Sequence, residues 1–175
     1  MLKSYMNKLF FIFLLLPLAL LVADEELFAI LKNAGSNGTQ KFSIGKNELE
    51  CKAYGVVTLE ALYQKSSADS SCRKKVEQFY KSNPNAKFFS SNMLKIMQMY
   101  HLELKKKGCV LYANGQQTLS ELLLSQGLAF MKPAFEDEEF RALFYKAQTQ
   151  AKLAKNGLWE EEIFHDCMVE SYKEE

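Results

Sequence analysis

Residues 108–130 read GCVLYANGQQTLSELLLSQGLAF, and the order of signals in this stretch decides how the rest of the chain is read. An apolar run, Cys109 to Tyr112, meets Ala113-Asn114-Gly115, and Asn-Gly beside such a run marks a hairpin-type turn, so a strand ends here. Thr118 with Glu121 three residues on forms a capping box, in which hydroxyl and carboxylate each satisfy an amide left open at a helix start. The short helix that follows carries Leu119, Leu122, Leu123 and Leu124, and Gly127 ends it. Downstream, Phe140, Leu143, Phe144, Ala147, Ala151 and Ala154 recur at helical spacing, which predicts a long amphipathic helix from about Glu138 to Lys155 before Asn156-Gly157-Leu158-Trp159. Acidic residues 136–139 crowd its start and Lys152 and Lys155 sit near its end, a solvated charge pattern that complements the helix dipole.

Upstream, the turn cluster from Asn33 to Gly38 and the turn Gly45-Lys46-Asn47 separate three apolar runs, Leu27–Leu31, Phe42–Ile44 and Leu49–Val57, which predicts a β-meander. Cys72, Val76, Phe79 and Tyr80 fall at helical spacing, and Pro84 ends that helix. Leu94, Ile96, Gln98 and Tyr100 alternate with Lys95, Met97 and Met99, the pattern of a strand covered in part on both faces. The methionines there read as core filling rather than as a metal or cofactor box.

Lys3 and Lys8 precede an apolar run from Leu9 to Ala23, which reads as a secretory signal (residues 1–23) cut after Ala23; an uncleaved N-terminal anchor is the alternative. The remaining chain, residues 24–175, is long enough for one domain with its own core. An exported protein, periplasmic or secreted, is expected. Lys and Arg number 22 against 21 Asp and Glu, and without Lys3 and Lys8 the domain is close to neutral, whereas a dedicated nucleic-acid binder is usually basic.

Four cysteines, Cys51, Cys72, Cys109 and Cys167, are expected to form disulfides in an exported chain, with three connectivities open. Their spacing and the two histidines, His101 and His165, give no zinc pattern, so no metal site is expected. His165-Asp166-Cys167 reads as a surface segment, since consecutive residues rarely converge on one reacting atom. Asn37-Gly38-Thr39 fits a glycosylation acceptor.

The stretch from Gly108 onward resembles the C-terminal half of a staphylococcal-nuclease-like (thermonuclease) domain, through Tyr112-Ala113-Asn114-Gly115, Gln126-Gly127-Leu128-Ala129, Ala147–Lys155 and Trp159. The turn carries Asn114 where that family usually has aspartate. The resemblance runs over roughly Leu27 to Glu160 and is weaker before Gly108. It implies an α+β fold, a five-stranded OB-type β-barrel with three helices.

The resemblance also implies a phosphodiesterase site built from calcium carboxylates, a glutamate and two arginines, and here the chain departs from the family. The motif Asp-Gly-Asp-Thr falls on Ser36-Asn37-Gly38-Thr39, and no aspartate occurs between Asp24 and Asp69. The motif Arg-x-x-Gly-Ile-Asp-Thr-Pro-Glu resembles Lys52-Ala53-Tyr54-Gly55-Val56-Val57-Thr58-Leu59-Glu60, keeping Thr58 and Glu60 but placing Lys52 for arginine and Val57 for aspartate. The second arginine falls on Lys106 within Lys105-Lys106-Lys107. Lysine keeps a charge but not the planar fork that grips a phosphate, and valine offers a hard cation no oxygen.

Three readings of this degenerate site stay open. A binding module would hold phosphate or single-stranded nucleic acid on Lys52, Lys105, Lys106 and Lys107, with Tyr54 and Phe135 as stacking candidates that are also natural core residues. An active secreted nuclease would use Glu60 as general base and Lys52 and Lys106 as phosphate clamps, with calcium as the cofactor in that case and none otherwise. A structural domain would meet a protein partner of the cell envelope, with no membrane contact beyond the signal segment.

Overall fold

A computed structural model describes residues 25–160 and 163–171. The signal segment therefore lies outside the described residues. The meander forms as the turns dictate: β1 (Glu25–Asn33), β2 (Thr39–Ile44) and β3 (Asn47–Lys52) pair antiparallel, with Ile30 opposite Ser43 and Phe42 opposite Leu49. Strand β5 (Met99–Lys105) pairs with the other side of β1, and β6 (Gly108–Asn114) pairs with β5. The six-stranded sheet runs β3-β2-β1-β5-β6-β7, where β7 is only Gln117–Thr118. The residues at the end of β3 approach β6 at a parallel bridge between Ala53 and Cys109 and at the disulfide Cys51–Cys109. The five long strands are those of the expected OB-type barrel; the helices among the described residues number seven rather than three.

The run Leu49–Val57 is not one strand. Gly55 has φ +71°, and a Cβ there would stand 2.6 Å from the Phe135 ring, so the chain turns at a position only glycine fills easily. Beyond it, β4 (Val56–Thr58) pairs with β8 (Ala129–Met131) and leads into α1 (Leu59–Lys65), which Thr58 caps. Nor is Leu94–Tyr100 a strand along its length. Pro84 ends α2 (Ser71–Ser82) but opens α3 (Pro84–Lys87), α4 (Phe89–Met93) follows, and a turn with Met97 at φ 66° intervenes before Met99. The alternation spanned that turn, and the methionines it carried are exposed rather than core filling: Met97 at 65% and Met99 at 59%.

The C-terminal half matches expectation closely. Helix α5 (Leu119–Ser125) has both halves of its Thr118/Glu121 capping box, and α6 (Glu138–Ala154) buries Phe140, Phe144, Ala147 and Ala151. Leu143 lies off that stripe, exposed, while Gln148 lies on it and accepts from the Met131 amide at 2.8 Å. Gly127 and the turn at Gly157–Trp159 interlock: Leu158 N donates to Gly127 O at 2.8 Å, and a Cβ on Gly127 would lie 2.1 Å from Asn156 O. Helix α7 (Ile163–Ser171) is held against α2 by the disulfide Cys72–Cys167. Asp166 there is lowered to about 2 by hydrogen bonds from Ser71 and Lys75.

Candidate functional site

The loop after β1 and the start of α1 meet at Glu60. Its Oε2 accepts from the Ser36 hydroxyl at 2.7 Å and the Asn37 amide at 3.1 Å. As the acidic residue in the first turn of α1 it also complements the helix dipole. Asn37 is buried, donates through Nδ2 to Ala86 O (2.8 Å) and accepts at Oδ1 from Ser90 N (2.9 Å). An amide clasped on both sides is a tie between loop and helices, not a glycan acceptor.

Position 38 faces the cap of α1: a Cβ on Gly38 would emerge 3.0 Å from Thr58 Oγ1. Gly38 itself offers no side-chain oxygen, Val57 offers none, and Glu60 Oε2 already serves two donors. Several oxygens are needed to hold calcium, so these residues do not fit it. Beside this site, Tyr80 carries a buried hydroxyl that finds no hydrogen-bond partner among the described residues, and burial, then the Glu60 charge, hold its pKa well above the usual phenol range.

The lysines separate. Lys52, at the end of β3, is exposed and lies 3.7 Å from Glu50. Lys105 turns inward: its side chain is 5% exposed, pairs with Glu103 at 3.3 Å, and sets its ammonium over the Phe140 ring. Lys106 and Lys107, in the β5–β6 turn, are exposed and line a cleft of about 290 Å³ with Tyr54, Gly55, Lys132 and Phe135. Neither Glu60, Lys52 nor Lys105 lines it.

Lys132 escaped the sequence reading. It follows β8, and its amide donates to Gly55 O at 2.9 Å, which sets it across the cleft from the β5–β6 turn. Its pKa is lowered by burial, then by Lys107 and Lys65, the mark of cations crowded on one side. A lone lysine before a proline carries no spacing signal of its own.

Tyr54 donates to Asp137 Oδ2 at 2.9 Å and meets Phe135 and Phe140 edge-on, while Phe135 stacks on Phe144. These rings form the cleft wall and the core behind it together. The acidic rim follows from the same packing: Asp137 also caps α6 by accepting from Glu139 N. At the other end, His165 is exposed and Cys167 is spent in a disulfide, so residues 165–167 form no reactive set.

Among the described residues, no three His, Cys, Asp or Glu side chains converge as a metal-holding group. A family model described as staphylococcal nuclease homologue matches residues 69–161, more than half of the chain. The match includes Lys106, Lys107 and Lys132 and begins after Glu60. No curated protein matches this chain.

Proposed function

The chain belongs to the staphylococcal nuclease homologue family, and on that premise we propose that it is an exported, catalytically degenerate member whose lysine-lined cleft binds the phosphates of single-stranded nucleic acid. One observation carries the reading. The single carboxylate retained from the family's motifs, Glu60, is closed onto Ser36 and Asn37, while Lys106, Lys107 and Lys132 line an open cleft beside the Tyr54 ring. A positively charged groove for the backbone and an aromatic ring for a base to stack on are the two elements of sequence-tolerant single-strand binding. Hydrolysis asks for more: a neutralised phosphate, an oriented water and donors for the developing charge. The first is present in the lysines; the group for the second is occupied.

Two disulfides support export, since such bonds persist in oxidising compartments, and the apolar run Leu9–Ala23 supplies the signal. The test is binding of a short single-stranded DNA across a salt series by the purified chain and by Lys106→Ala, Lys107→Ala and Lys132→Ala. The reading requires affinity that falls steeply with salt and a shallower slope in each variant. Salt-independent binding, or variants indistinguishable from the parent, would leave a protein-interaction role in its place.

A further inference from the structure

Lys132 is pinned at both of its backbone groups. Its amide donates to Gly55 O at 2.9 Å, and its carbonyl accepts from Phe135 N at 3.3 Å across the turn that Pro133 and Ala134 form. Ala134 holds a left-handed φ of 54°, which few residues with a side chain adopt, so the turn is tightly specified. The Lys132 side chain is half-buried and lines the same cleft as Lys106 and Lys107. Its amine has neither a hydrogen bond nor an ion pair with a described residue. Glu136 and Asp137 also line the cleft, but Asp137 is engaged by the Tyr54 hydroxyl and by the α6 cap.

A clamp for phosphate does not require this setting. Lys106 and Lys107 are exposed and carry their charge at no desolvation cost, whereas a lysine that serves by charge alone gains nothing from surroundings that disfavour the ammonium. Around Lys132, burial disfavours it first, then Lys107 from the β5–β6 turn and Lys65 from the last turn of α1. Desolvation and a neighbouring cation are the two means by which a lysine amine becomes a nucleophile toward carbonyl groups. A neutral amine set among phosphate-holding cations fits a ligand that carries an aldehyde between phosphates. In single-stranded DNA that combination arises where a nucleotide has lost its base, because the freed deoxyribose opens to an aldehyde at C1′ with a phosphate on either side.

We propose that the cleft captures abasic sites in single-stranded DNA, the Lys132 amine forming an imine with the C1′ aldehyde of the opened sugar while Lys106 and Lys107 hold the flanking phosphates. This rests on the nucleic-acid reading above and names the ligand within it. The amine lone pair attacks C1′ and a C–N bond forms. The nitrogen gives up two protons, the carbonyl oxygen takes two and leaves as water, and C=N replaces C=O. The step consumes neither oxidant nor reductant, and hydrolysis reverses it.

The experiment mixes the purified chain with a single-stranded oligonucleotide carrying one abasic site and adds sodium borohydride, which reduces the imine to a stable amine. The adduct is mapped by mass spectrometry, and binding of the abasic and the intact oligonucleotide is measured beside it. The adduct is expected on Lys132. At oligonucleotide concentrations that saturate each protein, Lys132→Arg should lower the yield at least about tenfold, because arginine keeps the charge and has no amine to offer. Lys107→Ala should move the pH midpoint of trapping upward, since it removes a cation that favours the neutral amine; a merely structural Lys132 would show no such shift. Adducts spread evenly over Lys106, Lys107 and Lys132, or full yield from Lys132→Arg, would overturn the proposal. Binding of both oligonucleotides without an adduct overturns it and leaves the binding reading in place, whereas binding of neither overturns both.

Discussion

Glu60 and Ser36 are joined by a 2.7 Å hydrogen bond, from the Ser36 hydroxyl to Glu60 Oε2, and the Asn37 amide donates to the same oxygen. A hydroxyl faces a carboxylate here, an arrangement that satisfies itself without a metal, and Glu60 thereby fastens the loop to α1.

Glu60→Ala should then cost stability. Removing the acceptor leaves the part-buried Ser36 and Asn37 donors without it, worth about 1–3 kcal/mol. Glu60→Gln keeps one oxygen and should cost less. Urea unfolding monitored at the single tryptophan, Trp159, measures both.

Tyr80→Phe should leave stability unchanged or raise it by up to about 1 kcal/mol, because it deletes a buried hydroxyl that finds no partner among the described residues while keeping the ring. The same urea series measures it. A clear loss would mean that the hydroxyl is engaged.

Lys132 should set the pH dependence of anion binding at the cleft. Its pKa lies below the ordinary lysine value, through burial and then Lys107 and Lys65. Its charge is present at low pH and is lost sooner than that of a free lysine as pH rises. Affinity for inorganic phosphate should begin to fall before the ordinary lysine range is reached, and Lys132→Arg should move that fall upward, because arginine stays charged. The linkage sign for stability is the reverse: the folded state disfavours the charged amine, so stability rises with pH between the lowered pKa and the unfolded one. Phosphate titrations across pH, with and without the variant, check the first statement.

Gly127→Ala should be severe and Gly115→Ala mild. Both glycines have positive φ, but a Cβ at 127 strikes the Asn156 carbonyl at 2.1 Å, whereas nothing lies within 4 Å of one at 115. Backbone strain alone costs on the order of 1–3 kcal/mol. The 127 variant pays that and must also part α5 from the Gly157–Trp159 turn. Thermal melts of the two variants give the comparison.

Reducing Cys51–Cys109 should lower stability by roughly 2–4 kcal/mol. It should also weaken binding at the cleft, since this bond joins the strand ends from which Tyr54 and the 106–107 turn emerge. Cys51→Ser/Cys109→Ser, compared with the parent in melting and in the salt series, separates the two effects.

How much of this was legible depended on where local signals coincide. Around Asn114-Gly115, Thr118/Glu121 and Gly127, turn, cap and stop each occupy a few adjacent residues, and every one holds in the structure. The alternation from Leu94 to Tyr100 misled because a period of two continued by chance through a helix end and a turn. The run Lys105-Lys106-Lys107 could not announce that strand pleating turns the first lysine toward Glu103 while the turn exposes the other two. Lys132 reaches the cleft only through the pairing of β8 with β4, a contact across more than seventy residues that no spacing rule encodes. The cysteine pairing likewise waited on topology, because 51 and 109 meet only where β3 comes up against β6.

The central claim is that this chain lacks the family's chemistry and keeps a lysine-lined cleft that binds phosphates. The most direct measurement is hydrolysis of single-stranded DNA by the purified chain, with calcium and with chelator, beside Glu60→Ala prepared identically. The account predicts that the two proteins behave alike in both conditions. Cutting by the parent that the Glu60→Ala protein lacks would contradict it, and would make Glu60, Lys52 and Lys106 a working, rebuilt nuclease site.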